Sequence, residues 1–201
     1  MLKVLLLLTI LFCSILCHAK KFKGQVFTKT DTLNVMLVIP THGWGDPDYK
    51  QMQKKIFYLT SKGKKYGLKP AEAKEVRFKI VSSKGKSTTI RMLSRVPRMS
   101  LNRLDVTELA FVKLEQDGFV KVFKYWGGER FTSQIGPPSW KQIYFYQKGN
   151  TKLKRIKELS FKKNMSEYFN DCSSLVKKIN DLDYTYQEMR QVATYFNTNC
   201  K

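Results

Sequence analysis

The sequence predicts an α+β fold: a mainly antiparallel β domain, as a twisted sheet or partial barrel, followed by a C-terminal helical hairpin. Over residues 22–155 the apolar residues fall in short runs, several alternating with period two, separated by Gly, Asp, Asn, Ser and Lys clusters. Beyond about Ile156 the apolar spacing becomes helical. Hydrophobic residues make up 42% of the 201-residue chain and aromatics 13%, which supplies a core and excludes a disordered basic tail in spite of a formal charge of +21.

The chain opens on Met1, Leu2, Lys3, a leucine-rich run from Val4 to Leu16, and then Cys17, His18, Ala19. That layout is expected of an export signal over 1–19, cleaved after Ala19, because an apolar run of about 13 residues is shorter than the roughly 20 that cross a bilayer core. Lipidation is the weaker reading: Leu16 precedes Cys17 and Phe12 precedes Cys13, where a small residue is required. Two regions follow, a β-rich domain over 20–155 and a helical segment over 156–201. The mature chain is expected to carry no transmembrane segment and to lie in the periplasm or cell envelope, or to be secreted.

Phe22–Thr28 and Leu33–Ile39 read as two strands about a turn at Lys29, Thr30, Asp31. The second is apolar on both faces, which marks a central strand, and Pro40 is expected to end it for want of a donor. Hairpins follow across Ser61, Lys62, Gly63, Lys64, then across Ser82–Gly85, then across Gln116, Asp117, Gly118, with glycine supplying the positive φ of a tight turn. A turn is read at Gly127, Gly128 and another at Gly149, Asn150. The polar stretch between Gly127 and Ser139 has the length of a lid or rim.

In the tail, Asn164 and Glu167 suggest a helix start, and Asp171 a cap for the turn carrying Leu175, Val176 and Ile179. Thr185 and Glu188 have the spacing of a capping box, in which hydroxyl and carboxylate satisfy each other's free amides. Met189, Val192, Ala193 and Phe196 form an apolar stripe expected to pack on the sheet. Outside the leader two cysteines remain, Cys172 and Cys200. In an exported chain they read as one structural disulfide that pins the terminus, worth about 3–4 kcal/mol in the chain-entropy model. No Cys-x-x-Cys redox pair or metal-ligand cluster accompanies them.

Chemistry-bearing residues are sparse. The loop Thr41–Tyr49 holds His42, the only histidine beyond the leader, beside Trp44, Asp46 and Asp48. His42 with Asp46 offers half of an acid/base pair, and Asp46 with Asp48 offers oxygens for calcium, but these residue types equally make an ordinary β connection. Gly85, Lys86, Ser87, Thr88 imitates the end of a phosphate loop, yet Ile80 stands where its first glycine is needed and a strand follows. Trp126 and Trp140, among Phe123, Tyr125, Tyr144, Phe145 and Tyr146, are candidates for a stacking platform, although buried rings are the commoner outcome. No cofactor is expected.

The tail residues Tyr168, Phe169, Asp171, Cys172, then Tyr195, Phe196, Asn197, Cys200, with Gly24, Asp31, Thr32, Trp44, Pro47, Lys65, Tyr66 and Pro70 in the front half, resemble a group of uncharacterised exported proteins of Gram-negative bacteria. The chain departs from that group at Ser173 and Phe196. The resemblance implies fold and address, and no activity or catalytic residue. The function expected is a basic, non-enzymatic envelope protein that binds an anionic envelope component or an acidic protein partner, nucleic acid ranking last. The alternative is a hydrolase acting on an envelope polymer through the His42, Asp46, Asp48 loop.

Overall fold

The computed structural model describes residues 18–42, 45–82, 84–97, 99–101, 104–106, 108–129 and 139–200. Strands are β1 (His18–Phe27), β2 (Thr32–Thr41), β3 (Ile56–Leu59), β4 (Lys65–Leu68), β5 (Glu75–Val81), β6 (Ser87–Arg95), β7 (Met99–Leu101), β8 (Leu104–Val106), β9 (Ala110–Gln116), β10 (Val120–Glu129), β11 (Ser139–Lys148) and β12 (Lys154–Arg155). Helices are α1 (Tyr49–Met52), α2 (Phe161–Tyr168), α3 (Ser173–Asn180) and α4 (Met189–Asn199). The mainly antiparallel, open sheet has the strand order β12-β11-β10-β9-β6-β5-β1-β2-β3-β4, and β7 and β8 form a separate ribbon. The expected leader over 1–19 falls mostly outside the described residues, and β1 starts at its last two positions, His18 and Ala19.

Two compact units divide between Arg91 and Met92, within β6. In the first, β1 pairs with β2 along its whole length and with β5 on its other side, so β1 and β2 are interior strands. Alternation sets the layers: Val26, Leu37, Ile39, Val76 and Phe78 are buried on one face, and the intervening residues stand on the other. Gly24 permits this packing, because a Cβ there would collide with Leu37 and lie 2.6 Å from the Arg77 carbonyl oxygen. Pro40 does not end β2. It pairs with Ala19 on β1, whereas β3 last pairs at Val38, so the proline stands where one flank of the strand is free of β3.

The hairpin turns after β3 and β5 carry the same four residues, Ser-Lys-Gly-Lys at 61–64 and at 83–86. Their hydrogen bonds match: Thr60 N–H donates to Lys64 O at 2.9 Å and Ser82 N–H to Lys86 O at 3.0 Å, while Gly63 and Gly85 N–H return to Thr60 O and Ser82 O. Both glycines have φ of +74°, which a side chain would strain. The β9–β10 turn holds Gly118 at φ +143°.

In the second unit β10 and β11 pair over ten positions, and Gly127 and Gly128 lie inside that ladder, opposite Lys141 and Trp140. The turn expected at these glycines is therefore strand, held extended by the long partner, and residues 130–138 of the expected lid lie outside the described residues. The core joins Val120, Val122 and Tyr146 of the sheet to Phe161, Met165, Phe169, Leu175, Ile179, Met189, Val192, Ala193 and Phe196. The α4 stripe packs there as expected, and the Thr185–Glu188 capping box is formed, the Thr185 N–H donating to Glu188 at 2.8 Å. The tail's first helix begins earlier than read: α2 starts at Phe161, whose ring is needed in the core, and Asn164 is internal. Asp171 does not cap α3; its carboxylate accepts from Lys148 Nζ at 2.6 Å.

Cys172 and Cys200 are joined, with an S–S distance of 1.95 Å and Cα atoms 5.5 Å apart. Asn197 adds a second tie between α4 and the sheet. Its Oδ1 accepts from Val120 N–H at 2.7 Å and its Nδ2 donates to Val120 O at 2.9 Å, replacing a strand partner that β9, ending at Gln116, does not provide. Lys148 Nζ also donates to Tyr168 O at 2.8 Å and sits 4.7 Å from the centre of the Phe196 ring, a desolvated cation–π contact. Among the described residues no helix is long and apolar enough to cross a membrane.

Candidate functional site

The loop singled out in the sequence is a tight connection. Thr41 bridges Pro47, His42 N–H donates to Asp46 O at 2.9 Å, and Gly45, at φ +85°, donates to His42 O at 2.7 Å. Asp48 is only 9% exposed and is spent on structure: Oδ1 caps α1 through Gln51 N–H at 3.1 Å, and Oδ2 accepts from the Gln51 amide at 2.8 Å. His42 and Asp46 are exposed, and Trp44 lies outside the described residues. Among the described residues no group of three His, Cys, Asp or Glu side chains is placed to hold a metal ion.

Three of the aromatics around Trp126 and Trp140 are core. Phe123, Phe145 and Tyr146 are buried, and the Tyr146 hydroxyl donates to Met189 O at 2.6 Å. Burial raises that hydroxyl well above its ordinary pKa, with the neighbouring Tyr168 a further cause. Tyr144 stacks edge-on with Tyr186, Trp126 is half-buried on β10, and Trp140 stands in β11 opposite Gly128.

A different surface gathers charge. The outward face of the first unit's sheet forms an open groove of about 1510 Å³, lined by Lys21, Lys23, Met36, Leu59, Arg77 and Lys79 among others. The register explains the gathering. Lys21 and Lys23 lie on β1 opposite Val38 and Met36, Met36 lies opposite Leu59, and Gln25 lies opposite both Asn34 and Arg77. Lys79 follows Arg77 on the same face and, one step beyond the last β1–β5 pair of Gly24 with Phe78, stands across from Lys23. Gln25 donates to Asn34 at 3.1 Å across the floor.

None of the residues lining the groove is acidic. The Glu75 carboxylate, bonded to the lining residue Arg77, is 8% exposed and already committed: Arg77 Nε donates to Oε1, and Arg91 donates to both oxygens at 2.6 and 3.1 Å. Burial pushes the Glu75 carboxyl up, but the hydrogen bonds and charges of Arg91 and Arg77 outweigh it and hold the group below its ordinary range. Arg77 shares the single Glu75 charge with Arg91 and leans over Phe27 at 4.4 Å, and Lys21, Lys23 and Lys79 are exposed. Two lysines at adjacent positions of paired strands repel each other, a cost that a bound anion would remove.

The sequence reading missed this groove, although its signal was present as Val76, Phe78, Ile80 alternating with Arg77 and Lys79, and as Lys21 and Lys23 alternating with Phe22 and Gly24. What was absent was the knowledge that β5 pairs with β1, a contact between segments about 50 residues apart. No protein-family model matches the chain, and no curated protein or solved structure is significantly similar to it.

Proposed function

We propose that this protein is an exported, non-enzymatic docking protein that binds an anionic envelope component, or the acidic surface of a partner, in the groove of its first unit. The observation that carries the reading is the cluster Lys21, Lys23 and Lys79 on one sheet face, with no carboxylate lining the groove to compensate it. Cations carried at neighbouring positions of adjacent strands concentrate positive charge on one face, where a single anion can meet several ammonium groups. The +21 formal charge of the chain adds a long-range field that draws anions toward it. The Cys172–Cys200 bridge agrees with an oxidising compartment.

The test is co-sedimentation of the chain, bridge intact, with vesicles of zwitterionic phospholipid containing one quarter anionic phospholipid, and in parallel retention on a sulfated-polysaccharide matrix, both across a salt series. Binding that falls steeply with salt, through screening of the lysines, and that is lost in Lys21→Glu, Lys23→Glu, Lys79→Glu supports the reading. Absence of binding to both materials at low salt overturns it. Full retention by the triple variant removes the groove as its seat.

A further inference from the structure

Charge accounts for only half of the groove. Following the register across the sheet from β5 to β4, and carrying the β1–β5 ladder one step beyond its last pair, Gly24 with Phe78, neighbouring positions on the outward face read Lys79, Lys23, Met36, Leu59, Lys65. With strands about 4.8 Å apart, two cations therefore abut two apolar side chains in one row. The next row repeats the pattern, with Lys21 opposite Val38 and Val38 opposite Phe57. Met36, Val38, Phe57 and Leu59 form one half-buried apolar strip on β2 and β3. It is bounded on its far side by the Lys65 ammonium, 4.4 Å from the centre of the Phe57 ring.

Met36 and Leu59 line the groove beside the lysines, and Val38 and Phe57 extend the apolar strip past its edge, an arrangement that suits a molecule whose charge is confined to one end. From this juxtaposition we infer that the groove binds an anionic amphiphile: one acidic head, phosphate or carboxylate, between Lys23 and Lys79, and an alkyl chain laid over Met36, Leu59 and their neighbours. The inference rests on the docking reading above and names the ligand class. The groove's volume of about 1510 Å³ exceeds that of a compact small-molecule site and suits an elongated ligand.

The test is calorimetric titration of the full chain, bridge intact, with butyl phosphate, dodecyl phosphate and dodecyltrimethylammonium, each kept below its self-association concentration, and with inorganic polyphosphate. If about four of the eight additional methylenes are buried, dodecyl phosphate binds on the order of a hundredfold more tightly than butyl phosphate. Dodecyltrimethylammonium, with the same tail and the opposite head, binds far more weakly. Lys23→Glu with Lys79→Glu abolishes dodecyl phosphate binding, whereas the charge-matched Lys152→Glu with Lys157→Glu retains it. Met36→Ser with Leu59→Ser shrinks the chain-length dependence and leaves butyl phosphate unchanged, a readout that survives if the lysine variant does not fold. Equal affinities for the two alkyl phosphates, or tight binding of polyphosphate without that dependence, overturn the amphiphile while leaving anionic docking in place. Equal binding of the cationic and anionic amphiphiles overturns the role of the lysines, and binding of none of the four probes, with no vesicle or polysaccharide binding, overturns both readings.

Discussion

Replacing Asn197 by alanine removes the side chain that meets both backbone groups of Val120. The two hydrogen bonds, 2.7 and 2.9 Å, join α4 to β10 at a residue that is fully buried, so water cannot simply take the amide's place. A buried backbone donor or acceptor left unsatisfied costs about 1–3 kcal/mol; with two orphaned and some relaxation of the helix, the loss is roughly 2–4 kcal/mol. Gly118 makes the geometry possible, since a Cβ at that turn would strike the Asn197 amide. Urea unfolding of Asn197→Ala with the disulfide intact gives the global loss, and amide hydrogen exchange of Val120 gives the local one. Asn197→Asp is at least as damaging, because a carboxylate oxygen then faces the Val120 carbonyl. A loss below about 0.5 kcal/mol, the range of an ordinary surface substitution, together with unchanged protection of Val120, would refute the clamp.

Three further outcomes follow from the same structure. Cys172→Ser with Cys200→Ser lowers stability by about 3–4 kcal/mol, read as a shift in urea midpoint that reductant reproduces in the unmodified chain and not in the variant. Glu75 and Glu115 are both held below the ordinary carboxylate range: burial pushes each up, and Arg91 with Arg77 in one case and Lys113 with Lys124 in the other outweigh it. Stability from a depressed carboxyl is fully present above its unfolded value, about 4.3, and is lost as pH falls through the lower folded value; thermal melts over that acid range should therefore show a loss that Glu75→Gln reduces. Gly24→Ala costs roughly 1–3 kcal/mol through overpacking, because the added carbon meets Leu37 and the Arg77 carbonyl; thermal unfolding measures it, and an unchanged midpoint would remove the close-packing argument.

The fold was legible where local chemistry decides it. Alternation in Val76–Ile80, the glycines of the Ser-Lys-Gly-Lys and Asp-Gly turns, the Thr185–Glu188 box and the cysteine pair each act within a few residues or through covalent chemistry, and each appears where the sequence places it. The misreadings occur where a distant partner intervenes. Gly127 and Gly128 look like a turn until β11 pairs with them, and Asp171 looks like a cap until Lys148, on another element, takes its carboxylate. At the His42 loop the contact is local instead. Asp48 draws attention because carboxylates beside a histidine suggest chemistry, but Gln51, three residues on, consumes both of its oxygens. The groove assembles lysines from β1 and β5 with apolar residues from β2 and β3, and no local window contains them together.

One strand links stability to binding. In β1 the even positions Phe22, Gly24 and Val26 face inward beside Leu37, Val76 and Phe78, while the odd positions Lys21, Lys23 and Gln25 face the groove. A one-residue slip of β1 would exchange the two sets, placing lysines against the core and a phenylalanine in the groove. The same register that buries Val26 therefore aligns Lys23 with Lys79 and with Met36, and the core residues hold the repelling lysines in place. A ligand that neutralises those lysines relieves a repulsion the core supports, so anion binding in the groove should raise the stability of this unit with the logarithm of ligand concentration over Kd.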